Sequence, residues 1–434
     1  MMEVETNPTG NYFVANYPPF SYWSADAADT ALNRLHAAGD SNQPLGLYIH
    51  LPFCRKRCHF CYFRVYTEKS SSEISDYIRA LGNELAHYAS LPYMANRRLK
   101  YIYFGGGTPS YLGTGQLREL FAELQSHLPW DGVEEVTFEC EPGTLHEQKL
   151  AAIKAMGVTR LSLGIENFDD QILQANNRAH LSRHIYSAFA AARKVGFPQI
   201  NIDLIAGMVG ETDANWRDNI AKVLQLAPDS VTIYQMEVPF NTALYRQLQN
   251  EGKPTSPPAD WPSKRRWQAE AFAALAEAGY QTSSAYTVVK TKDKAHFVYR
   301  DSLWRGGDLI GLGVSAFGHL NGAHIQNEKD IGNYQRRVFT GELPISRAYL
   351  ATVEERLIRE MILQLKTGSV DSGYFQRKFG HNILEKFAKP FDELMKEDLL
   401  LINEHQVELT ANGLLRVDGF LQRFFLAQHG GPGT

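Results

Sequence analysis

Residues 45–63 read Leu45-Gly-Leu-Tyr48-Ile-His50-Leu-Pro52-Phe-Cys54-Arg-Lys-Arg-Cys58-His-Phe-Cys61-Tyr-Phe63. Three of the four cysteines in the chain stand here, in a C-x3-C-x2-C spacing. The apolar run Leu45 to Leu51 predicts a strand, and Pro52 ends it by removing a ladder donor. The thiols therefore fall on a loop just past the carboxyl end of that strand. Three close thiolates can hold three irons of a cubic iron–sulfur cluster, which normally takes four cysteines. One iron is then left for a small molecule. A fourth ligand from this chain would have to be the distant Cys140 or a histidine. A Cys3His zinc site through His50 or His59, and a disulfide, are the competing readings. Zinc sites of that kind usually pair a C-x2-C half with an H-x3-H half, and no second half is present.

The other cysteine, Cys140, stands alone, so the thiols do not form a disulfide framework. Nothing in the composition points elsewhere: 44% of the 434 residues are hydrophobic, 21% are charged, and the formal net charge is −4. That balance gives no bulk basic field for nucleic acid. No apolar run is long enough to span a membrane. The opening Met-Met-Glu-Val-Glu-Thr has no basic region followed by an apolar one, unlike a secretory signal. These features together predict a cytoplasmic protein. The length suggests more than one domain, or a large barrel with an appendage.

From residue 45 onward strands and helices alternate. Strands are expected at 45–51, 99–104, 134–141, 159–166, 199–206 and 230–236, with helices at 73–90, 116–128, 146–156, 182–195 and 215–226. This alternation predicts an α/β fold with a parallel sheet and right-handed crossovers. Six units make a partial (β/α)6 TIM-type barrel rather than the full eight. Residues 1–44 form a polar, proline-broken leader with the aromatic segment Asn16-Tyr-Pro-Pro-Phe-Ser-Tyr-Trp23. Residues 45–240 are the barrel core, and 241–350 a barrel extension covering the substrate. Within that extension 281–334 is mixed, with several glycines. Residues 351–426 form a C-terminal winged-helix-like α+β domain: Thr352 and Glu355 make a capping-box pattern, and a two-stranded wing is expected at 399–402 and 406–409. Residues 427–434 are expected to be a frayed tail.

Side chains alternate faces along a strand. Val136, Phe138 and Cys140 share one face, as do Leu161, Leu163 and Ile165. These apolar faces must meet the outer helices. Glu139, Glu166 and Asp203 then point into the lumen near the carboxyl ends of their strands, where barrel enzymes place active sites. Three converging carboxyl groups are costly there unless cations, hydroxyls or a polar ligand meet them.

The run from Tyr48 through Cys61, with Tyr103-Phe-Gly-Gly-Gly-Thr-Pro-Ser110, resembles the radical S-adenosylmethionine (SAM) superfamily, and within it the oxygen-independent coproporphyrinogen III oxidase-like (HemN-like) branch. The match spans about residues 45–240 strongly and the remainder moderately. The resemblance implies a [4Fe–4S] cluster on Cys54, Cys58 and Cys61, whose open iron binds SAM and cleaves it reductively to a 5′-deoxyadenosyl radical. It assigns SAM binding to Tyr48, Gly106, Gly107, Thr108, Glu139, Glu166, Arg178 and Asp203, and catalysis to the three cysteines with Tyr48 and Glu166. Glu166 departs from the family, which carries a glutamine there. The Tyr234-Gln-Met-Glu-Val-Pro run resembles a substrate-touching motif, and Gly311 to Gly318 a loop covering the site.

The resemblance leaves three reactions open. In the first, a coproporphyrinogen III dehydrogenase decarboxylates propionates; such enzymes usually carry an extra cysteine where this chain has Phe63. In the second, a methylase or cyclopropanase uses two SAM molecules on a small-molecule substrate, which suits both Phe63 and the leader and is the main expectation. The third is a haem-binding chaperone, against which the leader weighs. A flavodoxin or ferredoxin is the expected reductant, and the protein is expected to be a monomer that binds no nucleic acid.

Overall fold

The apolar residues of each strand decide which way it faces. In β1 (Leu45–Leu51), Leu45, Leu47, Ile49 and Leu51 are at most 1% exposed. The matching faces of β2 (Leu99–Gly106), β3 (Glu135–Cys140), β4 (Arg160–Glu166), β5 (Gln199–Ala206) and β6 (Ser230–Gln235) join them in one core. Outside lie the helices Ser71–Ala89, Thr114–His127, Glu147–Ala155, Ser182–Val195 and Asp213–Leu226, one after each of the first five strands. Ser70 starts the first of these with a capping box: its hydroxyl accepts from Glu73 N, and the Glu73 carboxylate accepts from Ser70 N. The computed structural model describes residues 13–250, 258–291 and 296–430.

The six strands pair in parallel and in sequence order, which is the expected (β/α)6 arrangement. The sheet does not stop there. It has twelve strands in the order β12-β11-β10-β9-β1-β2-β3-β4-β5-β6-β8-β7. β7 (Gln281–Thr282) and β8 (Thr287–Val289) add antiparallel to β6. On the other side β9 (Asp308–Leu312) runs parallel to β1, followed by the antiparallel β10 (Phe317–Leu320), β11 (Ala323–Asn327) and β12 (Ile345–Leu350). Two-residue to six-residue strands interrupted by glycines give little alternation to read, so 281–334 is mixed in sequence. The segment Gly311 to Gly318 is the end of β9 and its turn into β10, where Gly313 N donates to Glu84 and Val314 N to the Tyr77 hydroxyl while Phe317 is exposed.

The leader is built into the body. Tyr17 is fully buried; its hydroxyl contacts His429 Nδ1 at 2.8 Å and accepts from Leu426 N. Trp23 stacks on His324 of β11, and Ser24 exchanges backbone hydrogen bonds with Ala348 of β12. At its first described residue, Phe13 N donates to Glu237, just past β6.

The C-terminal part has its own core around Leu357, Met361, Phe375, Phe391 and Phe420. The Thr352–Glu355 capping box opens the helix Val353–Leu365. The sheet has three strands rather than two, in the order β13 (Ser369–Asp371), β15 (Gln406–Leu409), β14 (Leu400–Asn403). The tail expectation is corrected for residues 427–430. Ala427–His429 forms a 3-10 turn, and His429 is only 5% exposed because Tyr17 and Tyr349 hold its ring. Residues 431–434 lie outside the described residues.

One buried ion pair fixes the seam between barrel and extension. Arg97 Nη1 meets Asp308 Oδ2 at 2.6 Å, with both side chains at most 3% exposed. Tyr93 also donates to Asp308, and Arg97 Nη2 to the Gln43 carbonyl. Replacing Arg97 by Met leaves the Asp308 carboxylate buried without its cation. Stability should fall by about 3–5 kcal/mol, the usual consequence of breaking such a pair from one side. A urea melt of Arg97→Met against the parent measures it, and a shift within error would show that the pair does not hold the seam.

Candidate cluster and cofactor site

β1 ends at Pro52, and the chain leaves the sheet as a loop closed at its base. Cys54 N donates to Tyr66 O, and Tyr66 N to Pro52 O. Inside the loop Cys61 N donates to Cys58 O, so the second and third thiols sit on one tight turn. The glycine loop after β2 docks on the same base: Gly107 N donates to Leu51 O, and Thr108 N to Phe53 O. A Cβ on Gly107 would stand 2.9 Å from both Leu51 O and Phe53 O. Gly106 has φ +109°, and a Cβ there would meet the His50 ring at 2.6 Å. Close approach of two strand ends therefore demands both glycines.

Cys54, Cys58, Cys61, Gly106, Gly107 and Arg178 line one cavity of about 140 Å³ at the carboxyl ends of the strands. Thr108 donates to Cys54 Sγ at 3.3 Å, and Arg178 Nη1 to Cys58 Sγ at 3.3 Å. Burial pushes the Cys54 thiol up to about 12 and Cys61 up to about 11, and the neighbouring thiols add to both shifts. Burial thus disfavours the thiolate at Cys54 and Cys61, and a metal cation between the thiols would favour it. Cys140 does not join them. It is 4% exposed on the outer face of β3, with its thiol toward Phe138 O. Among the described residues no group of three His, Cys, Asp or Glu side chains could hold a single metal ion. His50 points inward instead, its Nδ1 3.0 Å from the Tyr48 hydroxyl, and burial lowers it to about 4.

The lumen carries the carboxyl groups expected from alternation. Glu139 accepts from the Tyr103 hydroxyl at 2.6 Å, and burial pushes it up to about 7. Asp203 accepts from the Ser162 hydroxyl and the Asn201 amide, and burial raises it as well. Glu166 lies at a register shift between β4 and β5, with φ +66°. A non-glycine residue in that region is strained. Burial pushes Glu166 up to about 7 although Arg178 Nη2 stands 3.4 Å away, and Asp203 and Glu139 raise it further. Burial likewise pushes the Tyr48 phenol up, with the Glu139 charge adding to it.

Sequence reasoning did not single out Arg160, Glu135 or Tyr103. Arg160 is 3% exposed, its guanidinium 4.2 Å from the Phe297 ring. Glu135 is 2% exposed and accepts from Thr137 and from the backbone of Val298 and Tyr299. The same alternation that found Glu139 places Glu135 and Arg160 on the inner face, so the signal was present. Four carboxyl groups thus share the lumen with two guanidinium groups, and Arg178 Nε is buried with no hydrogen-bond partner. A ligand with a positive centre, hydroxyl donors and one carboxylate fits that inventory.

Residues 48–223 match the radical SAM superfamily. The chain is 27% identical to the oxygen-independent coproporphyrinogen III oxidase of Salmonella typhimurium, over 93% of this chain and 90% of that protein. Among solved structures, coproporphyrinogen III oxidase (HemN) from Escherichia coli superposes with a TM-score of 0.83 at 25% identity, covering 95% of this chain and 96% of that one. The chain thus carries a match to the radical SAM superfamily over residues 48–223 and resembles the HemN-like branch along nearly its whole length. The chain is also 28% identical to the haem chaperone HemW of Bacillus subtilis, over 85% of this chain and 96% of that protein. A [4Fe–4S] cluster and SAM are the cofactors of this superfamily, and the thiol cavity and acid-rich lumen fit both. The methylase or cyclopropanase expectation is corrected at this point: these full-length relatives are oxidases and a chaperone, and they favour those readings over it. Phe63 and the leader were too little to carry it.

Serine at Cys54, Cys58 or Cys61 should abolish the brown four-iron chromophore after anaerobic reconstitution with iron and sulfide, whereas Cys140→Ser should retain it. Absorbance and iron counting decide this, and a retained chromophore in any of the first three variants would remove that cysteine from the ligand set.

Glu166 makes a second test. An unfolded carboxyl titrates near ~4.3, so between there and about 7 the folded protein holds a proton that the unfolded chain releases. Its stabilising contribution is full below the unfolded value and is lost as pH rises through about 7. Glu166→Gln removes that dependence, so the melting temperature of the variant relative to the parent should climb between about pH 5 and about pH 8. A difference independent of pH would contradict the raised carboxyl.

Proposed function

We propose that the protein is a radical SAM oxidoreductase of the coproporphyrinogen III oxidase type, converting a propionate of a porphyrinogen to a vinyl group with loss of CO2, the hydrogen atom going to the 5′-deoxyadenosyl radical that SAM would supply and the electron to an external one-electron acceptor. The observation that carries this reading is the leader. It is integral to the fold through Tyr17, Trp23 and Ser24. The likeness to the oxidases takes in 86–94% of the chain, against 85% for the chaperone.

When bound, the cluster and SAM supply the one-electron chemistry. The residues of the chain do the positioning. In this proposal Cys54, Cys58 and Cys61 hold three irons. Arg178 reaches a SAM carboxylate, Asp203 and Glu139 take hydroxyl and amine donors, and the carbonyls of Gly106 and Gly107 take the amine. Thr108 and Arg178 hydrogen-bond the thiolates and steady their charge. Tyr48, on the inner face of β1, borders both groups. A cytoplasmic setting, which keeps the four free thiols reduced, and a flavodoxin or ferredoxin as electron donor belong to the same proposal. A haem chaperone is the second reading, favoured by Phe63 where the oxidases usually carry another cysteine.

Product analysis separates these. Reconstituted protein given SAM, a strong reductant and coproporphyrinogen III should yield 5′-deoxyadenosine and a decarboxylated vinyl product, without S-adenosylhomocysteine. Tight haem binding with no substrate turnover would replace the oxidase reading with the chaperone. S-adenosylhomocysteine in step with product would restore methyl transfer.

A further inference from the structure

The added strands follow the same alternation as the barrel. Ile325 of β11 and Ala348 of β12 pair with each other and lie in the main core, on the outer face of the sheet. Their neighbours Gln326 and Arg347 therefore turn to the inner face. The register runs across that face at one level. Tyr48 of β1 stands between Tyr103 of β2 and Gly311 of β9. His319 pairs with Leu309 in the antiparallel β9–β10 ladder, which sets Phe317 opposite Gly311. Phe317 pairs with Gln326, and Gln326 with Arg347. Arg347 thus shares a row on the inner face with Tyr48, four strands away, or about 19 Å along the sheet.

Arg347 is a half-buried cation with one free arm. Its Nε donates to the Gln326 side-chain carbonyl and its Nη1 to Phe20 O at 3.0 Å, while the Trp23 ring lies 6.0 Å away. Nη2 has no hydrogen-bond partner among the described residues and is not a buried atom, so solvent reaches it. Burial lowers the pKa of this guanidinium, and no acidic neighbour offsets the effect. The other two arginines of the inner face differ in this respect: Arg160 lies in the field of Glu135, and Arg178 stands 3.4 Å from Glu166. Beside Arg347 lies an apolar shelf. Phe317 is 38% exposed, with the rings of Phe20 at 4.6 Å and Trp23 at 5.6 Å packed against it.

A reachable guanidinium with no carboxylate of its own matches a carboxylate from outside the chain. An exposed aromatic ring next to it matches an apolar ring of the same ligand. We infer that Arg347 binds a carboxylate of the substrate that does not itself react, while the adjoining ring of the substrate rests on Phe317. This inference rests on the proposed oxidase reading, which supplies a macrocycle bearing several propionates. The separation along the row does the selecting. A macrocycle with carboxylates on opposite sides can reach Arg347 and still present another side chain near Tyr48, and a small acid cannot. Charge adds a direction. The inner face of β3, β4 and β5 carries Glu135, Glu139, Glu166 and Asp203, so a carboxylate finds its unpaired cation on the opposite edge of the sheet, at β12.

Anaerobic calorimetry of the reconstituted full chain, without SAM or reductant, measures the binding of coproporphyrinogen III with no turnover. Arg347→Gln should weaken that binding about tenfold or more, as for loss of a charge-assisted hydrogen bond. Arg347→Lys keeps the charge and should bind with an affinity between those of Arg347→Gln and the parent. Gln326→Glu gives the guanidinium a carboxylate of its own. It should weaken binding as Arg347→Gln does, and it carries the test if Arg347→Gln does not fold. An affinity unchanged in both Arg347→Gln and Gln326→Glu overturns the role of Arg347 and leaves the oxidase reading standing, since the vinyl product decides that reading. Absence of binding by the parent overturns both.

Discussion

The constraint on which this structure depends is the two-residue alternation of a parallel strand whose outer face is covered by a helix. Apolar side chains are committed to the outside, where the helices are, and every second residue must face the lumen. In β3, β4 and β5 that rule sends Glu135, Glu139, Glu166, Asp203, Arg160, Ser162 and Asn201 inward together. Hydroxyl and amide donors meet part of the acid, as with Ser162 and Asn201 on Asp203. The rest stays under-compensated, and burial raises each of these four carboxyl groups. The same pattern that makes the barrel fold thus makes its lumen demand a cationic, hydroxyl-rich guest.

The thiol loop and the lumen are joined mechanically. Gly107 and Thr108 bond to the base of the cysteine loop, while Thr108 and Arg178 bond to the thiols themselves. Arg178 also reaches the Gly164 carbonyl and the Glu166 carboxylate, across the register shift of β4. One guanidinium therefore touches the metal-binding loop, the strained end of β4 and the acid-rich interior. Its position explains why a left-handed residue persists at 166: the bend turns that carboxylate back toward Arg178.

Much of this was legible in the sequence, for physical reasons. Long strands such as Leu45–Leu51 and Gln199–Ala206 show an apolar alternation strong enough to fix both element and face. The cysteine spacing and the glycine run are local, so Cys54 and Gly107 could be read without knowing the fold. What stayed hidden is non-local. The Arg97–Asp308 pair joins residues more than two hundred apart, and neither residue differs in type from a surface charge. The β9–β12 strands are short, and β11 and β12 pack on a leader whose own pattern is broken by prolines. Glu166 was placed on the right face by parity, but its positive φ follows from the register shift, which no side-chain pattern encodes. The choice among reactions rested on Phe63 and the leader, and neither feature reports on the substrate.

The leader shows how an open barrel is completed. Six parallel strands cannot close on themselves, so both edges of the sheet are extended, by β8 and β7 on one side and by β9 to β12 on the other. The leader crosses between these sides. Trp23 and Ser24 engage β11 and β12, while Phe13 reaches Glu237 beyond β6 and its ring lies 5.2 Å from that of Tyr286. Tyr17, between them, belongs to the C-terminal core and not to the barrel core. Lifting the leader would expose a fully buried tyrosine and unbind His429, at a cost comparable to removing a large core side chain. The C-terminal core therefore anchors the segment that spans the two edges of the sheet.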